Sequence, residues 1–387
     1  MAQRAETWEY GTTQSNPMRV GLIGYGIGKV YADALRDIPR YYAGLPPVEL
    51  VAVATSSAVS GKRAMEQSGF GRYTTDYREL LASDDIDAIV IATPNYLHRE
   101  MLLAALTTDK AIYTDKPLAI NLREAREIVV AARARKRDAQ LSFTLRYYLA
   151  LQQVRQWLQA GRLGQIYTFR LAYYRASYRN PEKPLRWKAQ QATSGAGVLS
   201  DLVPHLADLL LWLIGMAEQL AAQTRIFIPE RPVTQGDSER VRVETDDHVI
   251  IQAALAGGQI GTIESGRLIA GAASDLSVEL YGSEGSLRWN IMDPNHLYFA
   301  AARLADSEQG WQQIPVIQNY ASPFHPKADI PSGGIPCTVA AFADFLRKTS
   351  AGQGYDPGLE QGLRVQEIIE MTTQADRAET WIARSTL

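Results

Sequence analysis

Between Met18 and Thr144, short β-branched runs alternate with stretches of helical periodicity. That alternation predicts a parallel sheet covered by helices on both faces, an architecture suited to nucleotides. The predicted strands are Arg19–Ile23, Leu50–Ala54, Ala88–Ala92, Lys110–Tyr113 and Gln140–Thr144. Helices are expected over Lys29–Ile38, Leu97–Leu106 and Leu122–Lys136. In the last, Leu122, Ala125, Ile128, Val129 and Ala132 recur at three- and four-residue spacing. After a helix over Leu149–Ala160 the texture changes to longer alternating strands: Gln165–Tyr174, His248–Leu255, Gly261–Gly266, Leu276–Tyr281 and Ser286–Trp289. Such alternation fits a sheet with one face on a core, with Gly257-Gly258 and Gly282 to Gly285 as hairpin turns. One helix, Leu202–Leu213, interrupts the strands. Residues 230–240 and 303–334, rich in Pro, Gly, Ser and charge, read as loops. Helices over Thr338–Arg347 and from Leu359 to about Ile382 close the chain. The expected division is a polar arm (1–17), an α/β domain (18–147) and an α+β domain (148–387) with a large, mainly antiparallel open sheet. The closing helices of that second domain can pack back on the first.

At 387 residues, two domains are the natural expectation. Forty Lys+Arg against 42 Asp+Glu give a net charge of −2. No broad basic field is left for nucleic acid or an anionic membrane, and the expected partner is a small molecule. The single cysteine, Cys337, excludes an intrachain disulfide, and its apolar surroundings suggest a buried thiol. The first 17 residues lack an apolar core of signal-peptide type, and no later apolar run is long enough to span a bilayer. The expectation is a soluble cytoplasmic protein.

Three stretches carry chemistry. The turn Gly24-Tyr25-Gly26-Ile27-Gly28-Lys29 follows the first strand and runs into a helix, as in dinucleotide-binding turns, where amides and a helix N-terminus receive a pyrophosphate. Lys29 stands at the third small position. Either helix–strand packing is managed differently there, or Lys29 lies outward beside phosphate. The second strand ends Ala54-Thr55-Ser56-Ser57 without the carboxylate that commonly binds the adenosine ribose of NAD. Hydroxyls and the downstream Lys62-Arg63 suit a 2′-phosphate, which favours NADP over NAD, unless those two are only the solvated face of a helix.

In Tyr113-Thr114-Asp115-Lys116-Pro117-Leu118 a lysine stands beside a proline at a strand end, where open parallel sheets bind ligands. Lys116 is either a surface residue or a catalytic cation. In Ser194 to Asp208, Asp201 and His205 are four apart, a spacing that on one helix lets the carboxylate orient the imidazole and raise its pKa. The alternative is Asp201 as an N-cap and His205 as a core histidine. A metal held by Asp201, His205 and Asp208 lacks a further His or Cys nearby.

Together with Ala92-Thr93-Pro94-Asn95-Tyr96-Leu97-His98 and Tyr281-Gly282-Ser283-Glu284-Gly285-Ser286-Leu287, these motifs occur in an order that resembles the Gfo/Idh/MocA oxidoreductase family, over about Met18 to Trp289. The family's usual Glu-Lys-Pro is here Asp115-Lys116-Pro117. The resemblance implies an amino-terminal Rossmann domain and a second domain whose open sheet mediates homodimers or homotetramers. It further implies hydride transfer between NAD or NADP and a secondary alcohol or ketone of a sugar, inositol or related polyol. Lys116, Asp201 and His205 would be catalytic, with His205 as acid/base. The cofactor would meet Gly24, Tyr25, Gly26, Ile27, Gly28, Lys29, Thr55, Ser56, Ser57, Thr93, Pro94, Asn95, Asp115 and Lys116. His98 joins that loop, although its place at a helix start also suits packing. Arg146, Tyr174, Arg175 and Trp187 are substrate-side candidates, because polyol binding needs hydrogen-bond donors and an aromatic wall; Tyr and Trp on half-buried strands also serve as core. Two other readings are open: a glycoside hydrolase or eliminase that uses the cofactor without net redox, and a non-catalytic dinucleotide or sugar sensor.

Overall fold

The computed structural model describes residues 16–303, 309–316 and 333–387; most of the expected arm and much of the expected loop 303–334 lie outside the described residues. Six parallel strands form the first sheet: β1 (Met18–Ile23), β2 (Val48–Ala54), β3 (Arg72–Thr74), β4 (Ala88–Ile91), β5 (Ala111–Thr114) and β6 (Gln140–Leu141), in the order β3-β2-β1-β4-β5-β6. Strand order reverses between β1 and β4, and ligands of such sheets bind beyond the carboxyl ends at that point. Val20, Leu22, Ile89, Val90 and Ile91 are fully or almost fully buried, as expected for strands covered on both faces. The helix Leu122–Arg135 buries the five residues its periodicity picked out. Its first turn is capped by Asn121, which accepts from the Glu124 amide at 2.9 Å.

The second sheet contains β7 (Ile166–Tyr174), β8 (Ala217–Arg225), β11 (His248–Leu255), β12 (Ile260–Gly266), β13 (Asp275–Gly282), β14 (Gly285–Asn290), β15 (His296–Ala301), β16 (Gln312–Pro315) and β17 (Ile382–Ala383). Its pairings are antiparallel except β7 with β12. Expected loops need correcting at two places. Residues 230–240 contribute to a two-stranded hairpin of β9 (Glu230–Pro232) and β10 (Arg240–Arg242), and Gln312–Pro315 pairs with β15. Both segments are short and polar, so their backbone pairing left little hydrophobic signature. The same applies to Ala217–Arg225, an unpredicted strand whose fully buried large side chain is Leu220.

The helix Gly334–Ser350 returns to the first domain. Phe342 stacks on Tyr113 of β5, ring centroids 4.2 Å apart, and meets Tyr31 edge-on. Cys337, on the same helix, is buried. The helix Leu359–Ala378 lies against Leu122–Arg135, β8 and the helix Val203–Leu213, so the closing helices join both domains.

Candidate active site

A cavity of about 860 Å³ runs from the carboxyl ends of β1, β2 and β4 to the second domain. At its first end, Gly24 has φ +93° and a Cβ there would lie 2.4 Å from the Ala92 carbonyl oxygen, so only glycine fits. Gly26 lines the cavity, and a Cβ on it would meet no atom within 4 Å. The helix Gly28–Tyr41 starts with neither a side-chain cap nor an acidic residue in its first turn. Its positive end is therefore left for an anion. Open backbone, uncapped helix and a cavity beyond the switch point fit a dinucleotide pyrophosphate.

The structure corrects the third position of this turn. A Cβ on Gly28 would sit 3.0 Å from Leu22 Cδ2 and 3.4 Å from Ala92 Cβ, so Gly28 itself serves close helix–strand packing. Lys29 is exposed and does not line the cavity. Tyr25, Ile27, Thr55 and Ser56 do, together with Arg63, one of the two cations considered for a 2′-phosphate, and Ser60, which the sequence did not single out. Ser57 does not: it caps the helix Ala58–Ser68 by accepting from the Ser60 amide.

Thr93, Pro94 and Asn95 line the middle of the cavity. Asn95 is buried and donates to the Ser194 carbonyl at 2.9 Å, tying the two domains together. His98 is fully buried and outside the cavity, with Nδ1 2.7 Å from the Pro117 carbonyl oxygen and Nε2 3.0 Å from that of Thr93. It fastens two cavity loops and has no ring atom free for a ligand. Asp115 Oδ1 accepts from the Tyr31 hydroxyl and from the Lys116 amide, both at 2.8 Å. The shorter acid still lines the cavity, held there by a tyrosine of the helix Gly28–Tyr41 and by the amide of the next residue.

At the second end, Lys116 is largely buried. Its Nζ donates to the Asp201 carbonyl oxygen at 2.7 Å and lies 3.3 Å from Asp201 Oδ1. The same Oδ1 receives Lys188 Nζ at 2.7 Å. Burial pushes the Asp201 carboxyl up, but attraction by Lys116 and Lys188 prevails and holds it well below the usual carboxylate range. His205 also lines the cavity. The expected orientation of its ring by Asp201 is not found. Asp201 ends the short helix Val198–Asp201, whereas His205 belongs to the next one, Val203–Leu213; the stretch 191–201 meets that helix at 49°. The sequence spacing therefore crosses a bend. His205 Nδ1 is enclosed and has no hydrogen-bond partner, which leaves Nε2 as the nitrogen for a ligand. Burial, and then the charge of Lys116, push its pKa well below the ordinary histidine value, against the opposing pull of Asp201. A rise had been expected.

Arg175 and Trp187 line this end. Arg146 and Tyr174 do not. Arg146 is buried away from the cavity, with Nε donating to Asp208 at 2.7 Å and Nη1 to Asp356 at 2.7 Å; its length and charge are used to neutralise Asp208, which is thereby also removed from any metal set. Tyr174 follows Tyr173 on β7. Because strand side chains alternate, Tyr173 meets the His205 ring edge-on at 6.1 Å while Tyr174 turns to the other face and bonds Glu264. Among the described residues no group of three or more His, Cys, Asp or Glu is placed to hold a metal. Lys188 was missed: it stands in an irregular segment with no periodicity, and its only signal was adjacency to Trp187.

Comparison with known proteins agrees with this layout. Residues 18–143 match the model of the oxidoreductase family with an NAD-binding Rossmann fold, and residues 151–288 match the GFO/IDH/MocA C-terminal domain. Levoglucosan dehydrogenase of Pseudarthrobacter phenanthrenivorans is 28% identical over 386 residues, covering 94% of this chain and 97% of that protein. 1,5-Anhydro-D-fructose reductase of Ensifer adhaerens is 30% identical over 271 residues, covering 69% and 75%. A solved structure of levoglucosan dehydrogenase with NADH and levoglucosan superimposes with a TM-score of 0.88 at 28% identity, covering 95% of this chain and 99% of that one. With its glycine turn, Asp115-Lys116-Pro117 loop and second-domain sheet in these places, the chain belongs to the Gfo/Idh/MocA family of oxidoreductases.

Proposed function

We propose that this protein oxidises a secondary alcohol of a sugar or related polyol, or reduces the matching ketone, with His205 as the acid/base. The observation that carries this reading is one cavity lined by Gly24 and Gly26 at one end and by Lys116, Asp201 and His205 at the other. Bound there, the nicotinamide supplies the hydride acceptor or donor. In the oxidative direction His205, neutral at physiological pH because burial and Lys116 depress its pKa, takes the hydroxyl proton on Nε2. The Lys116 ammonium stabilises negative charge developing on the substrate oxygen. Asp201 fixes that ammonium through its carbonyl and carboxylate oxygens. Trp187 offers an apolar wall for a sugar ring.

The cofactor is NADP in preference to NAD. No carboxylate follows β2, and Ser56, Ser60 and Arg63 line the cavity there, hydroxyls and a guanidinium that suit a 2′-phosphate. Lys62, the other cation considered, is not among the lining residues. The assembly is a homodimer or homotetramer through the outer face of the second sheet, where Ile250 and Ile260 are exposed. The test is a sugar and polyol panel with NAD and NADP in parallel, read as reduced-cofactor absorbance. Formation of NADPH at low substrate concentration supports the reading, and absence of cofactor reduction or oxidation across the panel refutes it.

A further inference from the structure

We infer that the preferred substrate is a sugar acid, whose carboxylate is received by the Arg175 guanidinium at the second-domain end of the cavity. The inference rests on the oxidoreductase reading above and narrows its substrate class.

Arg175 directly follows β7. Its backbone is pinned on both sides, its amide donating to the Gly266 carbonyl at 2.8 Å and its carbonyl accepting from the Ile269 amide at 3.0 Å. The side chain lines the cavity that holds His205, and its Nε is enclosed without a hydrogen-bond partner. Among the described residues no carboxylate pairs with it. Neighbouring arginines of this domain are used differently. Arg267 is bonded to Asp247 at 2.8 Å, and Arg231 donates to the carbonyls of Tyr178 and Asn180. Arg175 is thus a positioned guanidinium on a ligand space, and its terminal nitrogens, which unlike Nε are not enclosed and carry no hydrogen bond among the described residues, are the donors a ligand would meet.

The local charge balance points the same way. The segment 175–188 carries Arg175, Arg179, Lys183, Arg186 and Lys188 against one acid, Glu182. Glu182 is engaged by Arg240 from outside the segment. Asp201, the carboxylate beside Lys116, is shared by two ammonium groups. Asp115 accepts from Tyr31 and a backbone amide. The crowding of cations is felt at Lys183, whose pKa is pulled down by burial and then by Arg186, Arg231, Lys188 and Arg267. Of the segment's cations, Arg179, Lys183 and Arg186 lie off the cavity and add only a longer-range positive potential. Arg175 and Lys188 line the substrate space, and with Lys188 paired to Asp201, Arg175 is the one left without a carboxylate. A neutral sugar leaves that charge unanswered. A carboxylate answers it, and the planar fork of Arg175 matches a carboxylate geometrically.

The test compares matched pairs, D-glucuronate with D-glucose and D-galacturonate with D-galactose, on the full-length protein with NADP and NAD, with D-glucose 6-phosphate as a further arm. The expected result is a kcat/KM at least ten-fold higher for the acid of a pair, falling as salt rises, with the acid-to-neutral ratio reduced at least ten-fold in Arg175→Gln. Equal or greater kcat/KM for the neutral sugars, or a preference for the phosphate over both acids, overturns the inference and leaves the redox reading standing. If no sugar in the panel is turned over, the redox reading fails for these compounds, and equilibrium binding to the NADPH-loaded protein decides the carboxylate site. Tighter binding of glucuronate than of glucose, lost in Arg175→Gln, supports it. Equal binding or none overturns it.

Discussion

Lys188 holds its ammonium 2.7 Å from Asp201 Oδ1, so the second-domain carboxylate answers the lysines and leaves His205 Nδ1 without a partner. The imidazole is tuned by charge and burial instead of by a carboxylate hydrogen bond. Its neutral form is the one present at physiological pH.

One consequence concerns pH. A base whose pKa is depressed stays active as pH falls until that pKa is reached, so the acidic limb of kcat/KM for oxidation should lie below pH 6.5. Lys188 is among the positive neighbours that lower it. Lys188→Met should therefore move the limb upward. A profile of unchanged position in the variant would show that Lys188 does not act on His205.

The catalytic assignment makes a stronger demand. His205→Ala and Lys116→Ala should each lower kcat by on the order of 10²–10⁴ with the fold intact by circular dichroism. Wild-type turnover in both, on a substrate confirmed with the parent enzyme, would refute the assignment.

Gly24 and Gly26 should separate folding from cofactor binding. Gly24→Ala puts a Cβ 2.4 Å from a carbonyl oxygen at φ +93° and should destabilise the protein by about 2 kcal/mol or more in urea unfolding. Gly26→Ala meets no protein atom and should keep the parent stability. It should weaken NADP binding, measured by fluorescence titration, because its methyl faces the dinucleotide space.

Arg63 should govern the cofactor choice. Arg63→Gln should reduce the ratio of NADP to NAD affinity by about ten-fold, the size of one lost charge-assisted hydrogen bond. An unchanged ratio would remove Arg63 from phosphate recognition.

Arg146 provides a contrast away from the cavity. Arg146→Met leaves Asp208 buried without its charge partner, which should cost about 3–5 kcal/mol of stability. KM of the folded fraction should stay at the parent value. A large KM increase with parent stability would return Arg146 to the substrate site.

Sequence alone determined the architecture and the order of the chemistry. Periodicity of apolar residues such as Ile128, Val129 and Ala132 marks the buried face of a helix because burial is decided by local spacing. The glycine turn after β1, the lysine at the end of β5 and the histidine at the head of an apolar helix are likewise local signals. Strands such as Ala217–Arg225 and Gln312–Pro315 were not legible, since backbone pairing with distant partners forms them and needs few apolar side chains. Only the tertiary structure decided which side chains share the cavity. Arg146 and Arg175 look alike in sequence, yet one neutralises Asp208 in the interior and the other faces the ligand space. Asp201 and His205 have helical spacing, yet a bend parts them and Lys188, from a separate segment, takes the carboxylate. Charge pairing and side-chain direction depend on groups far apart in the chain, and no local pattern records which partner a buried charge will find.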